Sequence, residues 1–295
     1  MKRCPNGTRR NKKTNECESV TVKKSVQDDY NMFNMLCKRH IMVPTLDHVV
    51  KTTWMYNDDC NIFLIGEIHE PHTKCTGTLE MFKALIKENS KLPNRPEIDI
   101  MLELTQYSST KEIAESSVQL SRVRVFFLRC VKEKHCTVRV HWTDPTQTNH
   151  AKDIPRWLNE LSKTDIFTED WTKNPLIADQ LKTEKDIFKL VTDNRFVMKE
   201  IDKANQVNKK FTLAFVKRHF MSMWENTKSR LNMDWKLLVK RQLRNVIDFY
   251  TVARMVKSNM KNVIYYAGDI HTSNVIRILL DLNFYIKQQI QGECI

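Results

Sequence analysis

The sequence predicts an α/β fold: a mainly parallel sheet flanked by helices, with a helical insertion between the third and fourth recognised strands. Three observations carry that expectation. Short apolar runs alternate with helically spaced segments over residues 61–142. No convincing strand interrupts residues 153–260, and strand, helix and strand patterns resume from 262 to 290.

Taken in order, residues 1–25 form a cationic tail bracketed by Cys4 and Cys17, too poor in apolar residues to fold alone. A disulfide-closed loop and a flexible tail with two thiols both fit it. Residues 26–295 then read as a single α/β domain with 153–260 as its insertion. Residues 26–60 look mixed and mostly helical, broken at Pro44. Residues 61–65 are an apolar run ending at Gly66, as a buried parallel strand would. Helical spacing follows over 78–91, where Leu79, Phe82, Leu85 and Ile86 share one face. A second strand is expected over 98–104, a helix over 110–131, and a third strand over 137–142 that stops at Asp144 and Pro145. The insertion is helical with breaks near Pro155, Pro175 and Asn194, and its last helix covers about 234–258. A strand over 262–267 enters Gly268, a helix covers 272–281 with Thr272, Ser273 and Asn274 as capping residues, and a strand over 284–290 closes the chain.

Charge and cysteine content narrow the classes of function. The net charge of +13 is concentrated in residues 1–24, with eight Lys/Arg against two Glu, and in 195–261, with sixteen against five acids. The basic surface is therefore separate from the segments that end in glycine. Such faces attract nucleic acid, capsid or anionic membrane, and Arg9, Arg10, Lys12 and Lys13 are the candidate anion-binding residues. More often a basic face is simply solvated. Eight cysteines without a Cys-x-x-Cys pair argue against a cysteine zinc site and for mostly reduced, partly buried thiols. No apolar run approaches the roughly 18 residues that span a bilayer, and the first residues lack the apolar stretch of a secretory signal. Residence inside a cell is the expectation.

The chemistry is expected at the strand ends. Only five glycines occur, and two of them open the same pattern directly after an apolar strand: Gly66-Glu67-Ile68-His69 and Gly268-Asp269-Ile270-His271. A carboxylate and an imidazole following a strand-end glycine project from the carboxyl edge of the sheet, where open α/β folds bind their ligands. Two His and two carboxylates converging there suit a divalent metal held by His69 and His271, or a water activated directly by histidine. His271, beside a helix N-terminus, is expected in its neutral form. Glu103 and, at the end of the third strand, His141 and Asp144 are further candidates, with Arg139 on the same face as His141. A structural salt bridge among Glu103, Arg139 and His141 is the competing reading. His40, His48, His72, His135, His150 and His219 read as surface or packed histidines.

Paired Gly-x-x-His motifs with a strand-end Glu between them resemble the superfamily that joins erythromycin esterase-like enzymes, haem-binding ChaN-like lipoproteins and TraB/TIKI proteins. The TIKI branch is described as divalent-metal-dependent proteases. Separately, the cysteine-bracketed segment 3–17, together with stretches 138–144, 248–254 and 265–271, resembles proteins of the nucleocytoplasmic large DNA viruses. These resemblances imply a giant-virus protein of the host cytoplasm or virion. They support Glu67, His69, Glu103, Asp269 and His271 as the site, with His141, Asp144, Asp248, Tyr250 and Arg254 as supporting residues. The leading expectation is a hydrolase of ester or peptide bonds using the paired acid-x-His motifs, with Arg139 or Arg254 stabilising the oxyanion. The alternative is a non-catalytic viral structural or interaction protein whose basic faces bind nucleic acid, membrane or capsid.

Overall fold

The order of strands across the main sheet explains why two motifs some two hundred residues apart end side by side. The computed structural model describes residues 8–10, 17–19, 26–42, 46, 49–68, 77–103, 119–134, 136–143, 154–164, 170–231, 235–257 and 260–292. Strands β1 (Thr8–Arg10) and β2 (Cys17–Ser19) pair antiparallel, with Arg9 opposite Glu18. The sheet itself comprises β3 (Val49–Tyr56), β4 (Asn61–Glu67), β5 (Asp99–Leu102), β6 (Arg139–Trp142), β7 (Asn262–Gly268) and β8 (Tyr285–Gln291). Its spatial order is β6-β5-β7-β4-β3-β8. The first four of that order are parallel neighbours, whereas β3 runs antiparallel to both β4 and β8.

The central parallel strands are buried on both sides, as every residue of β4, β5 and β7 is, whereas β6 at the edge is only partly covered. Strand β3 corrects the expectation of a mostly helical stretch over 26–60. Val-Val-Lys-Thr-Thr-Trp-Met-Tyr is β-branched and aromatic along most of its length, which favours extended backbone over helix.

Alternation along the strands then separates two cores. On one face Trp54, Phe63, Ile65, Ile100, Leu102, Ile264 and Tyr266 meet residues of α1 (Val26–His40), α2 (Thr78–Lys91) and α3 (Gln119–Lys132), among them Phe33, Leu36, Phe82, Leu85 and Phe127. The other face presents Ile62, Leu64, Met101, Val263 and Tyr265 to the insertion. That insertion comprises α4 (Arg156–Lys163), α5 (Pro175–Ala178), α6 (Lys189–Thr192), α7 (Arg195–Val207), α8 (Leu213–Leu231) and α9 (Trp235–Lys257). Helix α10 (Asp269–Asp281) joins the same layer through Val275, Ile276, Ile278 and Leu279. The protein is thus α/β, with a mixed, mostly parallel sheet and a helical insertion between β6 and β7, as the sequence predicts. Each fully buried Phe, Leu or Ile contributes about 1.5–3 kcal/mol to this arrangement.

Crossovers leave β4 and β7 in opposite directions. From β4 the chain passes through α2 to β5, on one side; from β7 it passes through α10 to β8, on the other. Between these neighbours lies the topological switch point, where open α/β sheets form a crevice at the strands' carboxyl ends. Register places Gly66 beside Ala267 and Glu67 beside Gly268. Gly66 is required by close approach: a Cβ there would lie 2.6 Å from Thr272 Oγ1, 2.8 Å from Asp269 Oδ1 and 3.1 Å from Asp269 Cα. The first turn of α10 rests directly on the first motif's glycine.

Of the four cysteines whose side chains are described, two keep to the expectation of reduced, buried thiols and two depart from it. Cys130 at the end of α3 and Cys136 before β6 form a disulfide, while Cys37 and Cys60 are free and buried. The expected Cys4–Cys17 relationship lies outside the described residues. Among the described residues no helix is long and apolar enough to cross a membrane.

Candidate active site

His271 is the centre of the constellation at the switch point. Helix α10 starts at Asp269, straight from Gly268, so His271 lies in its first turn; the expected start at Thr272, with Thr272 to Asn274 as caps, is corrected by one turn. The ring is clamped on both sides. Its Nδ1 lies 2.6 Å from Asp248 Oδ1 and its Nε2 lies 3.0 Å from Glu103 Oε1. Asp248 comes from the middle of α9 and is fully buried, whereas 9% of the His271 side chain and 14% of the Glu103 side chain are exposed.

Each carboxylate has further support. Asn274, one turn beyond His271 on α10, donates its Nδ2 proton to Asp248 Oδ2 at 2.7 Å. The backbone N–H of Gly268 donates to Glu103 Oε2 at 2.7 Å. Glu103 follows the last residue of β5, and its own N–H donates to the Tyr266 carbonyl at 3.2 Å, which fixes the strand end from which the side chain departs. Three adjacent elements therefore define the position of one carboxylate.

Electrostatics corrects the expectation of a neutral His271. Burial opposes the charged ring, but Asp248 and Glu103 outweigh it and hold the His271 pKa well above its ordinary value. The helix dipole acts in the opposite sense and is the weaker influence, worth about 0.3–1 kcal/mol at ordinary exposure. Burial raises the Asp248 carboxyl despite the hydrogen bonds it accepts. An imidazolium between two carboxylates, both nitrogens donating, is the resting arrangement that this geometry favours.

The remaining first-motif and second-motif acids take different surroundings. Glu67 accepts a hydrogen bond from the Tyr266 hydroxyl, on the sheet face occupied by α2. Asp269 lies over Gly66, with Lys51 Nζ 3.8 Å from its Oδ1 and 3.1 Å from Ser273 Oγ. His69 and Asp144 lie outside the described residues, as do the side chains of Arg9, Arg10, Lys12 and Lys13.

A second polar cluster lies along β5 and β6. Arg139 binds Asp99 through two hydrogen bonds of 2.7 Å, and His141 Nε2 lies 2.7 Å from the same carboxylate. The expected bridge among Glu103, Arg139 and His141 thus forms around Asp99, leaving Glu103 for His271. Although Asp99 is buried, its hydrogen bonds and charge interactions with His141 and Arg139 hold its pKa below the usual carboxylate value. Arg254 completes the cluster from α9, donating to the Trp142 carbonyl and Tyr250 hydroxyl at 3.2 Å each and lying 2.9 Å from His141 Nδ1. Arg139 belongs to this ion-pair cluster at the start of β6, roughly 10 Å back along the strand from its carboxyl end.

The sequence marks Asn274 only as a helix cap and gives Asp99, Lys51, Tyr266 and the Gly268 N–H no place in the site. Two had a usable signal. Asn274 stands three residues after His271 on one helix face, and Asp99 stands opposite Arg139 at matching strand positions. His40 and His219 are packed residues, beside Glu88 and Asp281 respectively. Among the described residues no group of three or more His, Cys, Asp or Glu side chains is placed to hold a metal ion. Comparisons of the chain with models of known protein families, with curated proteins and with solved structures found no match.

Proposed function

We propose that the chain is a hydrolase of ester or peptide bonds in which Glu103, His271 and Asp248 activate water. The supporting observation is the imidazole held between a fully buried aspartate and a partly exposed glutamate at the carboxyl edge of the parallel strands. Glu103 is the more exposed of the two groups that solvent can reach. It takes a proton from the attacking water while the Gly268 N–H and the His271 ring compensate its changing charge. Asp248 and Asn274 hold the ring's orientation. Arg254, six residues or about 9 Å along α9 from Asp248, is the cation assigned to the developing oxyanion.

A divalent ion would use part of this donor set only by displacing the proton that His271 carries on Nε2 in the resting arrangement. Nε2 of His271 and Oε1 of Glu103 are 3.0 Å apart, and Asp248 on Nδ1 is the carboxylate support that metal-bound histidines commonly have. His271, Glu103 and His69 would hold it. When bound, such an ion would supply Lewis acidity and lower the pKa of a bound water. The paired motifs and the strand-end Glu are the basis for proposing the erythromycin esterase-like, ChaN-like and TraB/TIKI superfamily, and segment 3–17 with stretches 138–144, 248–254 and 265–271 is the basis for proposing a giant-virus origin.

Assays of purified protein on ester and peptide libraries, with metal analysis and with added chelator, test the proposal. Turnover that falls at least 100-fold in Glu103→Gln and in His271→Ala is expected. Turnover unchanged in both variants would overturn the assignment.

A further inference from the structure

A groove at the opposite end of the sheet gathers three cations. It holds about 620 Å³ between α1 and the edge strand β8, and its floor is Trp54. Trp54 pairs with Phe63, four residues and about 13 Å before Glu67, so the groove is separate from the crevice at the switch point. Phe63 stacks on one face of the indole at 5.1 Å, with 18° between the rings. Lys38 Nζ and Lys287 Nζ lie over the same indole, 5.3 Å and 4.3 Å from its centre. With one ring face taken by Phe63, the two ammonium groups share the other.

Lys287 reaches that position through an irregularity in the backbone. Trp54 is in register with Gln288 and Met55 with Ile286, so Lys287 is the extra residue of a bulge between β3 and β8. Bulges turn a side chain away from its regular direction, and here the turn brings a second cation onto one ring. Among the described residues neither Lys38 nor Lys287 has a carboxylate partner, and the lining contains no Asp or Glu. Arg39 adds a third cation at the rim, paired with Glu88. Converging cations without carboxylate partners call for an anion of more than one charge.

We propose that this groove binds a phosphorylated small molecule, its phosphate held by Lys38 and Lys287. The proposal is independent of the hydrolase assignment. Calorimetric titration of the full chain with ADP, at near-physiological salt, tests it. Saturable binding is expected, weakened at least tenfold in Lys38→Gln/Lys287→Gln, kept within threefold in Lys38→Arg/Lys287→Arg, and unchanged in the distant pair Lys163→Gln/Lys173→Gln. The proposal is overturned if ADP shows no saturable binding, if adenosine binds as tightly as ADP, or if the distant pair weakens binding as much as the groove pair.

Discussion

Asp248 and His271 come from two helices of one layer and meet at 2.6 Å beneath the carboxyl edge of the sheet. The contact orients the ring and, with Glu103, sustains its charge. Asp248→Asn keeps the size and a hydrogen-bonding group but removes the buried charge. The His271 pKa should then fall toward its ordinary value, read as an upfield-to-downfield imidazole titration by NMR. Turnover should fall on the order of 10²- to 10⁴-fold, as when a histidine loses its orienting carboxylate. A pKa unchanged by the substitution would mean that Glu103 alone holds the charge.

Gly66 and the start of α10 predict a second outcome. Gly66→Ala places a methyl group within 2.8 Å of Asp269 Oδ1 and 2.6 Å of Thr272 Oγ1, so the helix must shift. Overpacking of this kind costs about 1–3 kcal/mol, measurable as a lower urea midpoint. Adding Thr272→Ala should recover only part of the loss, because Asp269 Cα, a backbone atom, still lies 3.1 Å from the new methyl. Full recovery would show that the hydroxyl alone sets the approach.

The motif pair was legible in the sequence because strand, glycine, acid and histidine are contiguous signals. Its placement at neighbouring strands followed less directly. The order β5-β7-β4 depends on β7 entering between strands formed earlier in the chain, a long-range outcome that local periodicity does not encode. Strand β3 is hard to read locally: Val49, Val50, Thr52 and Thr53 favour extended backbone, but Lys51 and the helical residues before Pro44 blur its start. Asp248 could be placed on a long helix, but its pairing with His271 depends on how α9 crosses the sheet. Similarly, the charge of His271 depends on two carboxylates distant in sequence, whereas the helix dipole depends only on its immediate neighbours.

Stability should decline at both ends of the pH range. Asp99 has a folded-state pKa below its unfolded value of about 3.8, so its contribution is present above that value and is lost as pH falls through the folded pKa. His271 has the opposite sign. Its folded pKa is raised, so its contribution is fully present below about 6.5 and is lost as pH rises through the elevated value. Denaturant unfolding across pH checks both limbs. Arg139→Met should flatten the acid limb and lower stability at neutral pH by about 1 kcal/mol, given the half-exposed guanidinium.

The Cys130–Cys136 disulfide closes the turn between α3 and β6, immediately before the strand that carries Arg139 and His141. With six residues of separation the closed loop is short, so the chain-entropy contribution is modest, about 2 kcal/mol. Reduction should therefore lower the thermal midpoint of the native chain by a few degrees without unfolding it at room temperature. A Cys130→Ala/Cys136→Ala variant should start near that lower midpoint and show no further response to reductant. Because β6 is, among the described residues, an edge strand bonded in the sheet to β5 alone, hydrogen exchange should rise first at Arg139 to Trp142 when the bridge opens. If exchange instead rises uniformly across β5, β7 and β4, the bridge stabilises the whole sheet and not the edge alone.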